Sequence, residues 1–143
     1  MSQEERTIAS ILSKSHTIAV VGLSARAERA SHEVAAYMQS QGYRIVPVNP
    51  AYAGTYILGE RCYATLAEAA EALIQDGGKI DIVNCFRKSA EVGPAIEEAI
   101  LIGASSVWLQ LGVFDEAAMA KARQAGLQTV VDKCIKIEHR RLH

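Results

Sequence analysis

Three times in this sequence a stretch with helical spacing ends in a glycine that stands just before a β-branched apolar run. These are Gln41-Gly42-Tyr43-Arg44, Ile102-Gly103-Ala104-Ser105 and Ala125-Gly126-Leu127-Gln128. Glycine is the residue best able to take the left-handed position that closes a helix, so each marks a helix stop and a strand start. The apolar runs number five: Thr17–Val21, Arg44–Val48, Ile80–Cys85, Ser105–Leu109 and Gln128–Val131. They are nearly continuous rather than alternating, the pattern of strands covered on both faces. Between them, Val34, Tyr37, Met38 and Gln41 share a helical face, as do Leu66, Ala69, Ala70 and Leu73. Ile96, Ala99 and Ile100, and then Met119 and Ala122, repeat the pattern. Thr65-x-x-Glu68 has the form of a capping box and Asp115 that of an N-cap. Strand and helix in alternation predict an α/β fold, a parallel sheet with helices on both faces. A further helix over Gln3–Lys14 precedes the first strand, and the tail Ile135–His143 wraps back after the last. Residues 51–63 form the longest irregular piece.

A chain of 143 residues, half of them hydrophobic and 22% charged, predicts one globular domain over residues 1–143. With a formal net charge of −1, nothing draws it to nucleic acid or to an anionic membrane, so any anion must be held locally. No apolar run reaches the roughly 18–20 residues of a membrane helix. The polar start Met1-Ser2-Gln3-Glu4-Glu5-Arg6 is unlike a secretory signal. Cys62, Cys85 and Cys134 are odd in number and irregularly spaced, which argues against disulfides and zinc and for a reducing, cytoplasmic setting.

Open parallel sheets hold ligands beyond the carboxyl ends of their strands. After the first strand, Gly22 permits a sharp turn, and the following helix presents unpaired N–H groups and the positive end of its dipole. Arg26 and Arg29 add charge, and Ser24 and Ser31 add hydroxyls, Ser31 also being a natural N-cap. This combination suits phosphate or pyrophosphate. The competing reading is a tight turn with two solvated arginines. The dinucleotide fingerprint is not met, because Ser24 and Ala27 stand where glycines belong and the second strand ends in Asn49-Pro50 without an acid. Phe86-Arg87-Lys88-Ser89 follows the third strand, before a helix expected to carry Pro94 in its first turn. Phe86 there either stacks on a base or belongs to the core. Asn49 can bond a neighbouring turn or a phosphate, and Trp108 reads as core.

Taken in order, Val21-Gly22-Leu23-Ser24, Arg29-Ala30-Ser31, Gly42-Tyr43-Arg44-Ile45-Val46-Pro47-Val48-Asn49-Pro50, Leu58-Gly59, Asp81-Ile82-Val83-Asn84-Cys85-Phe86-Arg87 and Val107-Trp108-Leu109-Gln110-Leu111-Gly112 resemble the small stand-alone CoA-binding proteins. These are similar to the CoA-binding domain of the succinyl-CoA synthetase α subunit. Asp132-Lys133-Cys134 and Glu138-His139-Arg140-Arg141-Leu142 extend the likeness to the end. The resemblance implies a Rossmann-like three-layer sandwich with a five-stranded sheet of order 3-2-1-4-5, holding CoA or acyl-CoA. By position, Gly22, Leu23 and Ser24 would line the phosphate region with Arg26, Arg29 and Ser31 beside it. Asn49 and Pro50 would approach the nucleotide end, while Phe86, Arg87 and Val92 would flank adenine or pantetheine. Two departures stand out: Ala30 where members often carry proline, and a long Ala72–Lys79 with Gly77-Gly78.

No catalytic constellation emerges. His32 lies near the expected phosphates but has no identifiable acid to orient it, and His16, His139 and His143 fall elsewhere. Cys85 and Cys134 could approach the ligand and form a mixed disulfide with a CoA thiol, though buried hydrophobe is the commoner fate of a lone cysteine. The expectation is binding without chemistry. The alternatives are an NAD(P)-linked or acyl-CoA-converting enzyme, and a protein-interaction module that has lost its ligand.

Overall fold

The structure, a computed structural model, describes residues 1–143. Helix α1 (Gln3–Lys14) leads into strand β1 (Thr17–Val21), followed by α2 (Ala30–Ser40) and β2 (Arg44–Val48). A small hairpin of β3 (Tyr56–Ile57) and β4 (Glu60–Arg61) precedes α3 (Leu66–Gln75) and β5 (Ile82–Cys85). Then come α4 (Ser89–Leu101), β6 (Ser106–Leu109), α5 (Glu116–Gln124), β7 (Gln128–Val130) and α6 (Ile135–Leu142). The three glycines expected to stop helices, Gly42, Gly103 and Gly126, have φ of +98°, +72° and +94°. No helix is long and apolar enough to cross a membrane.

The five apolar runs form one parallel sheet in the order β2-β1-β5-β6-β7. Every residue of β1, β5 and β6 is buried, which is why those segments lack alternation. Successive side chains still point to opposite faces. Ile18, Val20, Ile45, Ile82, Trp108 and Val130 pack under α1, α2 and α6. On the other face, Ala19, Val21, Val46, Val48, Val83, Val107 and Leu109 pack under α3, α4 and α5. The result is the expected Rossmann-like three-layer sandwich.

The neighbour order differs in one respect from 3-2-1-4-5 counted over those five runs. The third run lies beside the first, and outside the second there is only a single parallel bridge, Val48 to Tyr63. Pro47 explains why that edge carries no strand. The Tyr63 amide donates to the Pro47 carbonyl at 3.0 Å, and the Asn49 amide donates to the Tyr63 carbonyl at 2.9 Å. The next bond of the ladder would need an N–H on Pro47, which proline lacks.

Several helix starts are also sharpened. Thr65 Oγ accepts from the Glu68 amide at 3.1 Å, but Glu98 of α4, 3.1 Å and 3.3 Å from the Leu66 and Ala67 amides, completes the cap of α3. Asp115 caps α5 as expected, accepting from Ala118 at 3.0 Å. Pro94 falls in the second turn of α4, because that helix begins at Ser89. Trp108 is fully buried and donates its indole N–H to the Lys133 carbonyl at 2.8 Å, a core role.

Candidate functional site

The chain leaves β1 toward the face of α2 and leaves the adjacent β5 toward the face of α4. Two loops that part in this way open a crevice at the carboxyl end of the sheet. Gly22 lies at its base with φ +88°, its amide donating to the Val48 carbonyl at 2.8 Å. A Cβ at this position would lie 3.3 Å from the Phe86 carbonyl oxygen and 3.5 Å from the Arg87 side chain. The glycine therefore answers two demands, a left-handed backbone and a close approach by the β5 loop.

The cleft above it has a volume of about 470 Å³. Of the eleven residues expected at a ligand site, Gly22, Ser24, Arg26, Arg29, Ser31, Asn49, Phe86 and Arg87 line it. Leu23 does not: its side chain is fully buried among the core residues under α2, and only its carbonyl serves the loop. Val92 is likewise completely buried, packed with Ile96 and Ala99 against the sheet, and does not line the cleft. Pro50 lines an adjoining cleft instead. Tyr52 and Ala51 join the wall unannounced, carried in by the short 3-10 turn Pro50–Tyr52, and Ala30 completes it. The Asn-Pro start of that turn was its one local signal.

Ser31 does not cap α2. The cap residue is Arg29, whose side chain makes no capping bond. Ser31 Oγ instead accepts from the Ser24 amide at 3.0 Å, and Ser24 Oγ accepts from the Arg26 amide at 3.0 Å. The two serines thus knit the loop to itself. The amides of Ala30, Ser31 and His32 are left with no protein acceptor, at the positive end of the helix. Asn49 ties the loops together: its Nδ2 donates to the Leu23 carbonyl at 3.0 Å, and its Oδ1 accepts from the Ala51 amide at 3.0 Å. The same oxygen accepts from Arg87 at 3.5 Å. Asn49 is therefore a brace between three strand ends. Of the three guanidinium groups at the cleft, only Arg26 has an ion-pair partner, the exposed Glu28 at 3.4 Å. Arg29 and Arg87 have none, so the cleft carries unneutralised positive charge beside free amides. This is an arrangement for phosphate.

Residues 16–140 match the family described as CoA binding domain. The chain belongs to this family. Among its relatives is "Uncharacterized protein YneT" of Bacillus subtilis (strain 168), 39% identical over 132 residues, which are 92% of this chain and 91% of that one. A solved structure from Thermus thermophilus, "cell-free ID.343", superposes with a TM-score of 0.86 at 30% identity over the whole of both chains. A "hypothetical protein from Pyrococcus horikoshii OT3" superposes with a TM-score of 0.84 at 35% identity, over 96% of this chain and 91% of the other. Membership of the CoA binding domain family supports binding of a CoA-type ligand.

The remaining reactive side chains lie apart from that cleft or are closed off. Cys85 is completely buried at the end of β5, and burial pushes its thiol up to about 12, outweighing the opposite pull of Arg87. Cys62 is buried, and its thiol is also pushed up, by burial first. Cys134 is buried beneath the start of α6. His32 makes no side-chain hydrogen bond to a carboxylate, and His139 and His143 stack on one another on α6, their ring centres 4.2 Å apart.

Proposed function

We propose that this protein binds CoA or an acyl-CoA at the carboxyl end of its sheet and carries no chemistry of its own there. The observation that carries the reading is the coincidence of three free helix amides, Ala30 to His32, with the unpaired guanidinium groups of Arg29 and Arg87. The phosphates of the nucleotide end take those amides and charges. Ser24 and Ser31 hold the loop in place from behind. Phe86 is half-buried, one side packed on the core and the other lining the cleft, and with Tyr52 it offers aromatic surface to adenine.

Catalysis would need a poised nucleophile or base, and the thiol at the strand ends is protonated and enclosed. A carrier or sensor of CoA in the cytoplasm fits these properties. Calorimetry with CoA checks it: saturable binding is expected, weakened about tenfold or more when Arg29 or Arg87 becomes alanine, as for loss of a charge-assisted hydrogen bond. Absence of heat up to about millimolar CoA, in the range of the weakest specific binding, would contradict the proposal.

A further inference from the structure

A second cleft of about 440 Å³ adjoins the first, and the Arg87 side chain lines both. It lies on the other face of the sheet, between the start of α3 and the outer side of α4. Val21 and Val48 form its floor, and Pro50, Pro94, Ala95 and Leu101 its walls. Its charge is opposite to that of the phosphate cleft. Glu91, Glu97 and Glu98 stand around it, and Arg87 at the seam is its one cation. Glu98 is committed to the amides of α3 and Glu97 to Lys121 at 3.2 Å, whereas Glu91 has no ion-pair partner. A ligand lying across the seam thus meets cations and free amides at one end, and an apolar trough rimmed by carboxylates at the other.

Resting on the CoA reading, we infer that this second cleft receives the pantetheine arm and selects an uncharged acyl thioester, rejecting acyl groups that end in a carboxylate. The complementarity is that of the ligand itself. CoA is anionic only at its nucleotide end, and its arm is neutral. A neutral acyl chain extends that match onto Val21, Val48 and Leu101, while a terminal carboxylate is brought against Glu91, which no cation neutralises. Leu101 is 84% exposed, so its side chain is open to such a contact.

Calorimetry of the full chain with CoA, butyryl-CoA and succinyl-CoA separates the possibilities. Butyryl-CoA is expected to bind at least as tightly as CoA, and succinyl-CoA about ten- to a hundredfold more weakly, the range for like charges meeting near a protein surface. Glu91→Gln should narrow that gap, and Ala95→Trp, which fills the trough, should remove the advantage of butyryl-CoA. Equal affinities for the two thioesters, with CoA itself bound, would overturn the assignment of this cleft and leave the phosphate site standing. No binding of any of the three would overturn both.

Discussion

Asn49 shows how much a single buried amide can organise. Both polar atoms of its side chain engage the protein, at Leu23, Ala51 and Arg87, while one N–H of the amide nitrogen stays unused at the cleft wall. From the sequence, Asn49 was open to either a turn or a phosphate, because both uses need the same short amide after a strand. Only the spatial neighbours of β2 bring out its bracing of the turn. Asn49→Ala is expected to lower stability by about 1–3 kcal/mol, since it leaves the Leu23 carbonyl without its buried donor. Urea denaturation checks this, and an unchanged midpoint would contradict the bracing role. Leu23 and Val92 teach a related lesson. Val92 lies four residues before Ile96 and seven before Ala99, in helical phase with positions already read as inward-facing. The helix period in this sequence thus pointed Val92 to the core, and the position-by-position resemblance overrode it.

At the scale of elements, helix α6 braces α2, whose first turn borders the carboxyl-end cleft. Lys136 pairs with Glu33 in the first turn of α2 at 3.1 Å, and Tyr37 of α2 shares a hydrogen bond with His139 Nδ1 at 2.8 Å. His139 is enclosed by Tyr37, Tyr43 and His143. Burial first, and then the His143 charge, hold its pKa below the ordinary 6.5. A histidine held neutral in the folded state gives stability that is present above pH 6.5 and is lost as pH falls toward its folded value. The urea midpoint should therefore fall between about pH 7 and pH 5, and less steeply in His139→Gln, which has no such proton to take up. Equal slopes in the two proteins would contradict a neutral His139. The strands and helices were legible because each apolar run and each glycine stop is a local signal. The sheet edge was not, because the missing donor of Pro47 acts only once Tyr63 has come alongside it.

Across the whole molecule, the two ends of the sheet offer different surfaces. The amino end has a groove of about 480 Å³ bordered by Ser15, Gly42, Tyr43, His139 and His143, with no arginine or lysine on its walls. The carboxyl end has the free amides, three arginines and two aromatic rings. A net charge of −1 gives no general attraction for anions, so position within the fold must supply it. That position was legible from the order of strands and loops, while the contribution of Tyr52 was not, since an irregular segment has no period to read. Backbone amide chemical shifts of the labelled protein during titration with CoA test this division directly. The shifts are expected to gather at Gly22–Ser24, Ala30–His32, Ala51–Tyr52 and Phe86–Arg87. Shifts confined to the α1–α6 groove at the amino end, or none at saturating CoA, would contradict it.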